Sequence, residues 1–174
     1  YTEYVAKVDI GIDESMQHDG VDSSDLREDI LNIRNKVRRL ILESGAVIPK
    51  NSPLEISHHY GVDNFYETGL CMVTVVNEEY CKKLLVSLPD QIHPTQWHNH
   101  KTETFVVLYG EVILLLDDEE YVLGPGEVVT IEPGVRHCFI GGKEGCVIEE
   151  ISTTHFANDS YYDDVSINEN LNRK

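Results

Sequence analysis

The sequence predicts a mainly β protein, an antiparallel sandwich or barrel with a helix ahead of it. Three observations carry this. From about residue 54, short apolar runs follow one another: "LCMVTVV", "CKKLLVSL", "TFVVLY", "EVILLLD", "EYVL", "EVVTI", "HCFI" and "CVIEEIS". Turn signals separate them, at Asn77, Pro89-Asp90, Gly110, Asp117-Asp118, Gly124-Pro125-Gly126, Pro133-Gly134 and Gly141-Gly142. Helical patterns do not alternate with these runs, which argues against a parallel α/β sheet.

The elements divide the chain into four parts. Residues 1–22 are polar, with glycines in "GIDESMQHDGVD", and read as a loop-rich lead-in with a short strand at "EYVAKVDI". His18 there is expected to be an ordinary surface histidine. Residues 23–50 contain an amphipathic helix over 25–44, with Leu26, Ile30, Ile33, Val37, Leu40 and Ile41 on one stripe. Asp25 with Glu28 fits a capping box, Lys36, Arg38 and Arg39 suit the C-terminal half, and Gly45 is a natural stop. Such a stripe is expected to pack on the sheet. Residues 51–158 hold the barrel. Residues 159–174 form a polar tail without periodicity, expected to touch the barrel through Tyr161, Tyr162 and Ile167 and then fray. A chain that opens on Tyr1 rather than methionine is expected to be a domain cut from a longer polypeptide.

Net charge is −17, so phosphate backbones and anionic membranes would be repelled. No apolar run approaches the ~20 residues that span a bilayer. Cys71, Cys81, Cys138 and Cys146 all lie in apolar runs and none forms a CxxC pair, so they read as buried thiols in a reducing compartment, the cytoplasm.

The chemistry concentrates in "QWHNHKTETFVVLYGEV", residues 96–112. Side chains two apart on a strand share a face, so Gln96, His98 and His100 would point together if the strand is regular, with Glu103 opening the next. A second segment, "GEVVTIEPGVRHCF", places His137 after a Pro-Gly turn, where an antiparallel neighbour can bring it to the same point. Imidazoles with one carboxylate and open positions suit one divalent transition metal: Mn, Fe, Ni, Co or Zn.

These two segments resemble the two motifs of the cupin superfamily. The first motif is HxH, three or four residues, E, six residues, G, and the second ends in PxGxxH. Glu103 and Gly110 match the first; Gly126, Gly134 and His137 match the second, with Pro133 displaced by one and Gly141 where an asparagine is usual. The resemblance implies a double-stranded β-helix, the jelly-roll barrel, with an N-terminal helical extension. Two registers are open for the first histidine pair. Gln96 with His98 gives the family's spacing to Glu103 but puts an amide in place of an imidazole; His98 with His100 keeps both imidazoles but leaves too few residues before Glu103.

"LEISHHYGVDNFYETG", "NEEYCKKLLVSLPDQIHP", "KTETFVVLYGEV" and "EEISTTHFANDSYYDD" further resemble the cupin region of sialic-acid-synthase-like proteins and, more distantly, the cupin D-lyxose isomerases. The latter resemblance implies metal-dependent aldose–ketose isomerisation of a small-molecule sugar and points to Lys83 and Glu150. Strand parity requires one of Lys82 and Lys83, and one of Glu149 and Glu150, to enter the barrel. Lys83 would then stabilise an enediolate and Glu150 would act as base. His58 and His59 are candidates for a substrate loop or a plain polar turn, and Trp97 is expected to pack outward. Two other readings remain: a non-catalytic sugar-binding or dimerising accessory domain of a sialic-acid-synthase-like enzyme, and an Fe(II) dioxygenase. The jelly-roll resemblance also implies a homodimer.

Overall fold

The computed structural model describes residues 23–50 and 52–169. The expected lead-in, including His18, lies outside the described residues, as does the side chain of Asp25, so the expected capping box is not described. Helix α1 (Ser23–Ser44) comes first, followed by strand β1 (Leu54–His58), a 3-10 turn (Val62–Asn64) and the short α2 (Phe65–Thr68). The strands continue as β2 (Gly69–Asn77), β3 (Tyr80–Ser87), β4 (Ile92–Trp97), β5 (Glu103–Leu116), β6 (Glu119–Leu123), β7 (Val128–Ile131), β8 (His137–Thr153) and β9 (Tyr161–Tyr162), and α3 (Val165–Glu169) follows. The mainly β, antiparallel barrel expected from the sequence is the architecture adopted.

One curled sheet runs β1-β2-β3-β8-β4-β9, and β5 joins it through β8 while also pairing β6 and β7. Strands β5 and β8 are long because each serves twice. Residues 103–110 pair with 146–152, and residues 112–116 pair with 137–141. Between these stretches the ladder slips, and β5 bends at Gly110. Gly110 has φ +72°, and a Cβ there would lie 2.0 Å from the Gly145 carbonyl oxygen, so only glycine lets the two backbones cross. The bend folds β5 and β8 around an interior, which is how an open sheet becomes a barrel.

The core has two parts. Inside the barrel, Leu70, Leu85, Phe105, Val107, Leu114, Phe139 and Ile148 are packed together. Outside it, Ile33, Val37, Leu40 and Ile41 of α1 cover Cys71, Val73, Leu84, Val86 and Val147. These helix residues recur at i, i+4, i+7 and i+8, a single stripe. Burial on both faces explains why β3 reads as a near-continuous apolar run rather than an alternating one. The helix ends at Gly45, φ +70°, as its expected stop, and residues 46–50 form no regular element.

Residues 159–169 of the expected polar tail join the barrel through the residues named for it. Gln96 pairs with Tyr162 and Trp97 with Tyr161, adding β9 to the sheet edge, and Ile167 of α3 is fully buried. Alternation did not signal this because only two residues form the strand. The four cysteines are free thiols; Cys71, Cys81 and Cys146 are buried and Cys138 is half-buried. Burial pushes the Cys146 thiol up to about 12 and the Cys71 thiol higher still. Among the described residues no helix is long and apolar enough to cross a membrane.

The helix–sheet seam is open to test. Ile33 is 1% exposed, so Ile33→Ala should cost about 2–5 kcal/mol, read as a lower denaturant midpoint. A change within experimental error would mean that α1 adds little to the fold.

Candidate functional site

Strand β4 ends at Trp97, and the next five residues turn into β5. This turn is built around Asp159, 3% exposed, from the segment beyond β8. Its Oδ1 accepts from the Asn99 amide (3.0 Å), and its Oδ2 accepts from the amides of His100 and Lys101 (both 3.1 Å). Three donors on one carboxylate force a tight turn, and this breaks the alternation on which the His100 expectation depended. Its side chain is exposed, away from the cluster, while His98 is buried within it. The correction is therefore local: His98 and His100 do not share a face.

His98, Glu103 and His137 come together, one ligand-type atom from each lying within 4.8 Å of the others. His137 Nε2 is 2.9 Å and His98 Nε2 3.5 Å from Glu103 Oε1. The register brings His137 here, because it opens β8 and pairs with Gln96 on β4. The Pro-Gly turn before it is pinned in place: Gly134, φ +86°, donates its amide to the His98 carbonyl at 2.7 Å.

The outer nitrogens of both rings are tied to backbone. His98 Nδ1–H donates to the Asp159 carbonyl (2.7 Å) and His137 Nδ1–H to the Val135 carbonyl (3.1 Å). Each imidazole thus turns its Nε2 lone pair toward Glu103. His98 Nε2 and Glu103 Oε1 are buried without a hydrogen-bond partner. Acceptors gathered at one point in a dry interior repel one another unless a positive charge lies between them. Two neutral imidazoles and a carboxylate, each held from behind, form a donor set that fits a divalent first-row cation. The Gln96 amide stands beside them, its Nε2 3.2 Å from His137 Nε2.

The parity argument resolves on both strands. Lys83 is 5% exposed and Glu150 3%, they face each other across β3 and β8, and both line the cavity. Their neighbours Lys82 and Glu149 are paired with each other outside, at 2.6 Å. Between Glu150 and Glu103 lies Lys101, which the sequence reading did not single out. Its Nζ is 2.5 Å from Glu103 Oε2 and 3.0 Å from Glu150 Oε1. Burial alone would lower the ammonium's pKa, but the Glu150 and Glu103 charges outweigh it and raise it above the usual lysine range. Burial likewise opposes ionisation of Glu103, yet the Lys101 charge holds its carboxyl well below the ordinary range. Ser152 Oγ–H adds a 3.2 Å hydrogen bond to Glu150 Oε1.

The rest of the cavity wall includes Ser57, His59, Leu70, Met72, Leu85, His93, Phe105, Phe139, His155 and Tyr162. His59 belongs to the cavity; His58 is buried at the end of β1. Trp97 faces outward, stacked on Tyr161 (5.7 Å between centroids) with the Arg136 guanidinium over its ring.

Residues 84–148 match the Cupin domain family. A D-lyxose ketol-isomerase from Cohnella laeviribosi is 31% identical, the alignment covering 70% of this chain and 82% of that protein. A D-lyxose/D-mannose isomerase from Thermosediminibacter oceani is 30% identical, covering 71% and 84% respectively. Among solved structures, an Acinetobacter L-ribose isomerase variant in complex with L-ribose superposes with a TM-score of 0.69 at 14% identity, over 82% of this chain and 94% of that one. A Cellulomonas parahominis L-ribose isomerase with L-psicose gives 0.66 at 13% identity, over 87% and 96%. At those identities the likeness is one of fold, whereas the two lyxose isomerases share sequence along most of their length. With its bent β5–β8 pair and its His98–Glu103–His137 cluster, the chain belongs to the cupin family that includes these D-lyxose isomerases.

Proposed function

We propose that this chain is a metal-dependent aldose–ketose isomerase for a sugar of the lyxose–mannose type, two aldoses with the same configuration at C2, C3 and C4. The observation that carries the reading is the meeting of two sets of groups at one cavity: His98 and Glu103 of the His98–Glu103–His137 donor set, and an inward carboxylate and ammonium, Glu150 and Lys83. The names of the curated relatives supply the sugar class.

His98, Glu103 and His137 would hold the cation, with the Gln96 amide as a weaker fourth donor. A divalent cation bound there supplies Lewis-acid polarisation of the sugar's oxygens. The chain's own groups do the remainder. Glu150 takes the proton from C2 of the open-chain aldose, and the C2 electrons form the enediol double bond as the carbonyl oxygen O1 becomes an alkoxide. The O2 hydroxyl proton passes to O1. Glu150 then returns its proton to C1, leaving the carbonyl at C2. Lys83, across the strand pair from Glu150, stabilises the negative charge that develops on the oxygens. Lys101 and Ser152 both bind Oε1 of Glu150, which fixes the plane of the base. Lys101, between Glu103 and Glu150, and Lys83, opposite Glu150, set two lysines against the two carboxylates of the cavity wall.

Protein loaded with Mn(II), Co(II) or Ni(II) should convert D-lyxose or D-mannose to the ketose, followed by a ketose-specific colour reaction or by NMR. A loaded protein inert toward pentoses, hexoses and amino sugars would instead favour a sugar-binding accessory module, including one of a sialic-acid-synthase-like enzyme. Oxygen uptake with Fe(II) would favour the dioxygenase.

Glu150→Gln should lower kcat by about 10²–10⁴-fold while leaving metal content unchanged. A variant that retains near-normal turnover would remove Glu150 from the base role. For the ligands, His98→Ala and His137→Ala should each lose metal by elemental analysis, Gln96→Ala should lower it, and His100→Ala should leave it intact. Loss on His100→Ala alone would contradict the assignment.

A further inference from the structure

The cavity has a second polar end that the isomerisation chemistry does not use. Lys83 pairs with Thr74 on β2, whereas Ser57 pairs with Leu70 on the same strand. Lys83 and Ser57 both line the cavity between these rows. Apolar Met72 and Leu85 occupy the row between them. At the far end Ser57, His59, His93 and Tyr162 meet.

Their hydrogen bonds give this end a direction. His59 Nδ1–H donates to the Thr68 carbonyl (2.8 Å), so its Nε2 is an acceptor. Tyr162 O–H approaches that nitrogen at 3.3 Å and Ser57 O–H at 3.5 Å. With their protons directed at His59, both hydroxyls offer oxygen lone pairs as acceptors. His93, 4% exposed, stacks on Phe139 with centroids 4.7 Å apart and meets His59 edge-on at 4.9 Å. Its Nδ1 is buried with no hydrogen-bond partner. A buried imidazole in this state is costly, and a ligand hydroxyl satisfies it.

We propose that this end is a subsite for the terminal hydroxyls of an open-chain sugar, in which His93, Tyr162 and Ser57 read the length of the chain. The inference rests on the sugar reading of the charged end. With C1 and C2 at Glu150 and Lys83, a linear pentose or hexose runs over the apolar row and delivers its last hydroxyls to His93. Phe139 holds the His93 ring in plane, so the subsite is formed before the sugar enters.

A ligand-observed NMR titration of the Zn(II)-loaded protein with linear polyols of three to six carbons tests this, because polyols bind without isomerising. Affinity should rise with chain length once the far hydroxyl reaches the subsite. His93→Phe and Tyr162→Phe should each remove that increment, by about 3- to 10-fold for one lost hydrogen bond, while the three-carbon polyol binds all proteins alike. Zinc content should be unchanged in both. Tyr162→Phe deletes only a hydroxyl and serves as the variant least able to disturb folding. Binding that ignores chain length, or that both variants reproduce unaltered, overturns the subsite and leaves the isomerase reading standing. Absence of binding by every polyol overturns both.

Discussion

Glu103 and Glu150 are both buried in one barrel, and Lys101 is the contact that makes this tolerable. Two carboxylates in a low-dielectric interior would otherwise drive one another to protonation. The Lys101 ammonium between them offsets that repulsion, with Glu103 facing the histidines and Glu150 facing Lys83. Removing such a partner from a buried ionic group costs about 3–5 kcal/mol, because the remaining charges stay desolvated. The arrangement of β3, β5 and β8 is therefore bound to this contact: Glu103 opens β5, Glu150 lies near the end of β8, and each strand presents its carboxylate where the lysine can reach both.

Lys101 is in turn held by Asp159, which accepts its backbone amide along with two others. The same residue's carbonyl sets the tautomer of His98. One position beyond the last long strand thus fixes a donor ring and the loop that carries the cation between the carboxylates. This is also why the sheet needs β9: its pairing with β4 anchors the chain immediately after Asp159.

What could be read from the sequence follows a physical rule. Glu103, Gly110, Gly134 and His137 were legible because short, local spacings fix them: a strand start, a backbone crossing and a turn. The choice of Lys83 over Lys82, and of Glu150 over Glu149, needed only alternation plus the knowledge of which face is inside. Lys101 and Asp159 were not legible, because a lysine in "HNHKTE" and an aspartate in "ANDSYY" look solvated until partners about fifty or sixty residues away are known. His93 was hidden for a different reason. Strict alternation puts His93 and Gln96 on opposite faces, but the ladder between β4 and β8 slips between them, and both turn inward. His100 was overread for the converse reason, since the strand it was assigned to had already ended.

The hydrogen bond from His98 to the carbonyl of residue 159 ties two equilibria together. Docking of the segment around residue 159 orients the imidazole, and by thermodynamic reciprocity a cation bound on that imidazole would stabilise the docked segment to the same degree. Cation affinity and docking of this segment would thus be linked through one bond, so a change that loosens the segment would be felt at the cluster.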